Sequence, residues 1–390
     1  MVDQAKRLFL KQGLSGLSIC GVGAIWSGAL LGGIHNQKLH LLPADENNLR
    51  LLPGLHSRVI ARSGEPVKSG QRYEWHASPD GGACFASDDG GWIYVSNSEV
   101  VLLGGVGAIA FAEDGQILDA YSILENTSRN CSGGATPWGS WLSCEEINSG
   151  RVWECDPAGQ KEAVARPALG VFNHEAVAVD ALSQYLYLTE DKKDGCLYRF
   201  IADRQHKNGF PDLSSGRLEV ASMSNDDMES EQGVLNWEPV PDPSAKRQET
   251  RHQVAAAKKF NGGEGIACFD GRIIFTTKGD NRVWSYNTKT KEIEILYDIK
   301  DTLTPILSGV DNVTVSQQGD IYVAEDGGDL QIVVIADNGA IYPVAQLEGH
   351  AESEIVGLAF SPDGKRLYFS SQRGTNGLPG GGITYEIRGF

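Results

Sequence analysis

The stretch His174-Glu175-Ala176-Val177-Ala178-Val179, followed by Gln184-Tyr185-Leu186-Tyr187-Leu188, is one copy of a unit that recurs along the chain. It reads as an acid, a short strand, a tight turn and a second strand. Gly263-Glu264-Gly265-Ile266-Ala267-Cys268 with Gly271-Arg272-Ile273-Ile274-Phe275 is a second copy. Val310-Asp311-Asn312-Val313-Thr314-Val315 with Gly319-Asp320-Ile321-Tyr322-Val323 is a third, and Glu354 to Phe360 with Gly364 to Phe369 a fourth. Two less regular units precede them, at 82–86 with 91–96 and at 138–143 with 150–154. Repetition of one hairpin unit is the mark of a β-propeller. Six units predict an all-β, six-bladed β-propeller. Turn signals such as Asp88-Asp89-Gly90, Gln318-Gly319, Asp337-Asn338-Gly339 and Pro362-Asp363-Gly364 separate the strands.

The acid recurs with the strand, which predicts that several carboxylates meet near one axis. Like charges gathered that closely do not all ionise unless cations sit among them. Carboxylates are hard oxygen donors suited to calcium.

Composition sets the bounds. The 390 residues suffice for one large all-β domain, and 47 glycines suit short strands joined by tight turns. A formal charge of −17 argues against a nucleic acid as partner, because binding that polyanion takes Lys and Arg. The seven cysteines show neither CxxC pairs nor zinc spacing and make a poor disulfide framework. Most read as small buried hydrophobes, with Cys131 set apart.

At the N-terminus, Lys6-Arg7-Leu8-Phe9-Leu10-Lys11 precedes an uncharged, Gly-rich stretch from Gln12 to Gly33. Residues 1–33 read as a twin-arginine-like export leader with Lys for the first Arg, only mildly apolar and ill suited to a stable membrane span. Residues 34–390 then form the propeller. The stretch from 36 to 78 is expected to supply a closing strand and a leading loop. One long polar segment, about 203–260, reads as an insertion between the third and fourth blades, its end from Ser244 to Phe260 as a helix.

The run Asn130-Cys131-Ser132-Gly133-Gly134-Ala135-Thr136-Pro137-Trp138-Gly139-Ser140-Trp141-Leu142-Ser143-Cys144-Glu145-Glu146 is long and specific. It resembles the signature of the PhoX family of bacterial alkaline phosphatases. Asn173-His174-Glu175-Ala176, Trp237-Glu238-Pro239-Val240-Pro241-Asp242-Pro243, Glu264-Gly265 and Asp311-Asn312 agree in order. The resemblance spans roughly Tyr73 to the C-terminus. It implies twin-arginine export to the periplasm and an iron–calcium cofactor on the propeller axis. It also implies a small-molecule phosphate ester as substrate, and ligands at Cys131, Glu146, Glu175, Glu264 and Asp311, with Cys131 on iron.

One departure matters. Where the family phosphatases carry a phosphate-holding arginine, this chain has Gly262. A guanidinium makes forked bonds that glycine cannot replace. Lys278 is the first candidate to supply the missing charge, with Arg129 and Arg373 behind it. The expected function is metal-dependent hydrolysis of phosphate monoesters. A calcium-dependent lactonase-type propeller and a non-catalytic ligand-binding propeller are the alternatives. The sequence leaves the oligomeric state open.

Overall fold

A computed structural model describes residues 40–224 and 231–390. The leader expected at 1–33 lies outside the described residues. Among those described, strands form six antiparallel sheets. Each sheet begins with an inner strand at the axis: Pro79–Ala86, Asn130–Ala135, His174–Val179, Gly263–Phe269, Val310–Val315 and Ile355–Phe360. Neighbouring inner strands touch in sequence, and the sixth touches the first, so the ring is closed. The six-bladed propeller expected from the repeats is the observed architecture.

Six apolar clusters hold the ring, and each bridges two adjacent blades. Between the sixth and first blades, Tyr368 packs on Tyr94 at 5.0 Å and on Phe111 at 5.4 Å. Leu142, Val177, Leu188 and Phe200 join the second and third blades, and Ile266, Phe275, Tyr187 and Trp284 the third and fourth. Burying one such side chain contributes about 2 kcal/mol. Blade contacts therefore outweigh any single hairpin, which is marginal alone.

The expected closing strand is present. His56–Arg62 pairs with the C-terminal strand Ile383–Arg388 as the outer edge of the sixth blade. Leu49–Leu51 adds a fifth strand to the fifth blade. The buried Glu386 locks the closure, accepting hydrogen bonds from Arg58 at 2.8 Å, Arg366 at 3.0 Å and Tyr368 at 2.8 Å.

The polar segment from 203 to 260 supplies strands to two blades. Gly216–Ser222 is the fourth strand of the third blade, and Asn236–Pro239 pairs beyond it. Gly233–Val234 crosses to the edge of the fourth blade. The helix expected from Ser244 to Phe260 is not formed; that stretch holds one 3-10 turn, Thr250–His252. The reason is that its polar groups bond elsewhere. The Asp242 carboxylate accepts the Ser244 and Lys246 N–H groups, and Thr250 Oγ1 donates to the Val171 carbonyl at 2.7 Å. Arg251 reaches Glu190, Asp194 and Glu249. The stretch is a strap tied across the third blade. Among the described residues no helix is long and apolar enough to cross a membrane.

Candidate active site

Five inner strands share one irregularity. Pairing with the second strand is interrupted after Pro79, Asn130, His174, Gly263 and Val310, and resumes three residues later. The residue after each break is Asp80, Cys131, Glu175, Glu264 or Asp311. A bulge re-aims the side chain it carries, and here it places an acid or a thiol at one end of the axis in five blades. In the sixth blade the break follows Val356, so Gly357 holds the equivalent place. Glu354, the acid of the repeat in sequence, lies three residues earlier.

Small residues let the strands approach. A Cβ on Gly265 would meet the Val313 nitrogen at 2.6 Å, and one on Gly134 would collide with the Val177 carbonyl oxygen. The acids are consequently crowded. Cys131 Sγ lies 3.3 Å from Glu175 Oε1 and 3.7 Å from Asp80 Oδ2. Donor atoms of Cys131, Glu146 and Glu175 lie within 4.8 Å of one another, as do those of Asp311, Asp326 and Glu354. Lys278 joins the second group, with its ammonium 3.3 Å from Asp311 Oδ2 and paired to Asp326.

The electrostatics follow from this geometry. Burial, reinforced by neighbouring carboxylates, pushes Asp80, Glu175 and Glu264 well above the usual carboxylate range. Burial and then Glu99 raise Glu146 to about 7. Burial and then Asp311 raise Glu354 to about 8. Burial also raises Asp311, but Lys278 opposes it and the result is about 6. Burial and then Asp80 push the Cys131 thiol well up. Burial alone would lower Lys278, but Asp311, Glu264 and Asp326 outweigh it and hold the ammonium charged. Glu264 Oε1 is buried with no hydrogen-bond partner. An acceptor left alone among other acceptors fits a cation, as does a thiol set between carboxylates.

All six residues expected at the site, Cys131, Glu146, Glu175, Glu264, Asp311 and Lys278, converge on this basin. Asp80, Asp326 and Glu354 complete it. Asp80 followed by two glycines matches Glu264-Gly265, so the repeat carried a signal for it. Asp326, after the second strand of the fifth blade, had no such signal. Glu99 lies at the rim, where Gln372 Nε2 bridges it at 3.0 Å to Asp80 at 2.6 Å. Glu145 is structural: its carboxylate accepts the Ser128 and Arg151 N–H groups. His174 is a core histidine. Burial holds it neutral, with a pKa near 3, and Nε2 lies 3.1 Å from the Gly170 carbonyl.

Gly262 has a φ of +71°, a conformation that strains any side chain. Its carbonyl accepts the Lys278 N–H at 2.8 Å. The glycine and the lysine are therefore adjacent, and positive charge enters the basin from Lys278.

A closed six-bladed ring with an acidic, thiol-bearing basin at one end of its axis defines the class: a propeller built around a cation-hungry centre. The family model for alkaline phosphatase PhoX matches residues 103–152, 148–295 and 270–374. The chain belongs to the PhoX alkaline phosphatase family. Pseudomonas fluorescens PhoX, solved with vanadate as a transition-state analogue, is similar in fold, with a TM-score of 0.72 at 17% identity over 90% of this chain and 98% of that one. A Xanthomonas campestris gluconolactonase has a TM-score of 0.50 at 12% identity, covering 91% of this chain and 99% of its own. A Bacteroides thetaiotaomicron protein of unknown function has a TM-score of 0.52 at 11% identity over 86% of this chain and 76% of that one. No curated protein sequence matches the chain.

Proposed function

We propose that this protein is a metal-dependent phosphomonoesterase whose centre is the axial basin. The observation that carries this reading is the convergence of Cys131, Glu146, Glu175, Glu264 and Asp311 in a chain of the PhoX family. Cys131, Glu146 and Glu175 form the group suited to iron, because a thiol stands among the carboxylates. Asp311, Asp326, Glu354 and Glu264 offer only oxygen, as calcium prefers. When bound, such cations supply charge for the phosphoryl oxygens and acidify water.

The chain's own residues set the rest. Gln372 and Asn173 orient the carboxylates: Asn173 Nδ2 donates to Glu146 Oε1 at 3.0 Å, as Gln372 does to Asp80 and Glu99. Lys278 places a fixed positive charge at the basin's edge, where it binds phosphoryl oxygens in place of an arginine at Gly262. In the hydrolysis, water adds to phosphorus, the ester P–O bond breaks, and the alcohol leaves with a proton. Residues Lys6 to Gly33 support export by the twin-arginine route, with the basin loaded before translocation.

The test is elemental analysis of protein made in iron- and calcium-replete cells, paired with turnover of p-nitrophenyl phosphate and nucleotides. Bound iron and calcium together with turnover are expected. A fully loaded protein that leaves every ester intact would rule the reading out. Calcium without iron, with lactone hydrolysis instead, would establish the lactonase alternative.

A further inference from the structure

Beside the basin lies a cavity of about 530 Å³. Glu146, Ser149, Val171 and Phe172 line it, with Ser244 and Thr250 of the strap. It adjoins the proposed centre, because Glu146 belongs to both and Asn173, which lines the cavity, donates to Glu146. Two arginines line it, and their situations differ. Arg251 is committed, since its three guanidinium nitrogens reach Glu190, Asp194 and Glu249 at 3.2, 3.0 and 2.8 Å. Arg129 is not. Its guanidinium lies 4.0 Å from Glu99 and 3.9 Å from Glu146, beyond hydrogen-bond length, and its side chain is 46% exposed.

The backbone of Arg129 is nevertheless pinned. Its φ is +48°. Its N–H donates to the Val100 carbonyl at 3.0 Å, and its carbonyl accepts the Glu146 N–H at 2.8 Å. A guanidinium carried on fixed backbone, with its donors unspent and a cavity before it, is arranged to meet an anion that arrives from outside.

We propose that this cavity receives the leaving group of the substrate, and that Arg129 reads a second anionic group on it. The substrate class is then phosphate monoesters whose alcohol carries its own phosphate or carboxylate. The mixed lining suits a sugar-like alcohol: polar Asn148 and Ser149 stand beside apolar Val171 and Phe172. Arg129 acts as a specificity residue for the distal charge. This rests on the phosphatase reading.

A matched pair of probes tests it with the metal-loaded, full-length protein: fructose 1-phosphate and fructose 1,6-bisphosphate, which differ only in the distal phosphate. The wild type is expected to show at least a tenfold higher kcat/KM for the bisphosphate, mostly through KM. Arg129→Ala should collapse that ratio to near unity, and Arg129→Lys should restore part of it. A role confined to structure would move both substrates together and would not respond to lysine. Equal kcat/KM values in the wild type, or a preference that survives in Arg129→Ala, would overturn the proposal. If no ester turns over, the phosphatase reading fails, and calorimetry with the same pair still decides this one. Tighter binding of the bisphosphate that Arg129→Ala abolishes would uphold the anion site, and equal binding would remove it.

Discussion

Glu264 concentrates the problem this protein has to solve. One of its oxygens is buried without a partner, and Asp311, Asp191 and Glu146 add repulsion to the cost of burial. A carboxylate in such a place destabilises the chain until a cation arrives. Glu264→Gln is expected to raise the melting temperature of metal-free protein by about 2 °C, to reduce the stabilisation gained from calcium, and to lower turnover at least a hundredfold. Scanning calorimetry with and without calcium checks this, and an unchanged calcium response would remove Glu264 from the ligand set. His76 makes a separate prediction. Burial pulls its pKa down to about 3, and Nε2 is buried unpaired. The unfolded chain binds a proton near pH 6.5, but the folded chain does not until far lower. Its contribution is therefore complete above pH 6.5 and declines as pH falls toward 3. His76→Gln should make the melting temperature fall less steeply from pH 6.5 to 4, with buried His174 supplying part of the slope that remains; a slope equal to wild type would refute the assignment.

Among the elements, the bulged inner strand is the decisive one. It carries the acid at its start and a small residue beside it, so neighbouring strands can close on the axis. Gly134 and Gly139 separate space from conformation. A Cβ at Gly134 collides with the Val177 carbonyl oxygen, whereas Gly139 has a φ of +85° and nothing within 4 Å. Gly139→Ala should cost about 1 kcal/mol through backbone strain. Gly134→Ala should cost about 3 kcal/mol, because rigid backbone cannot give way, and should weaken metal retention by spreading the second and third blades. Denaturant titration of both variants measures the difference, and equal costs would show that the ring relaxes more easily than the packing implies. The strap from Ser244 to Phe260 teaches the opposite lesson. Its composition reads as helix, yet Arg251 and Thr250 bond to distant partners, and tertiary hydrogen bonds override local propensity.

For the whole molecule, closure is the stabilising event. His56–Arg62 and the C-terminal strand meet in the sixth blade, and the six interblade clusters depend on that ring being complete. A chain starting after Arg62 loses His56–Arg62 and the Arg58–Glu386 pair. It is expected to show no cooperative thermal transition by circular dichroism. Cooperative unfolding within about 5 °C of the full chain would mean that the blades hold together without the latch.

The repeat of acid, strand, turn and strand determined the propeller and its blade number, because side-chain alternation and turn chemistry are local properties. It also marked Glu175, Glu264 and Asp311, since each copy carries its acid at the same step, and the Asn130–Glu146 run marked Cys131 and Glu146. Only the tertiary structure decided that Gly357 follows the break in the sixth inner strand, while Glu354, the acid of that repeat, reaches the basin from three residues earlier. It alone brought in Asp326, paired Lys278 with two acids, and left Arg129 facing a cavity with its donors free. These depend on strand register and on contacts between distant loops. Such contacts are set when the ring closes, and no local pattern of residues encodes them.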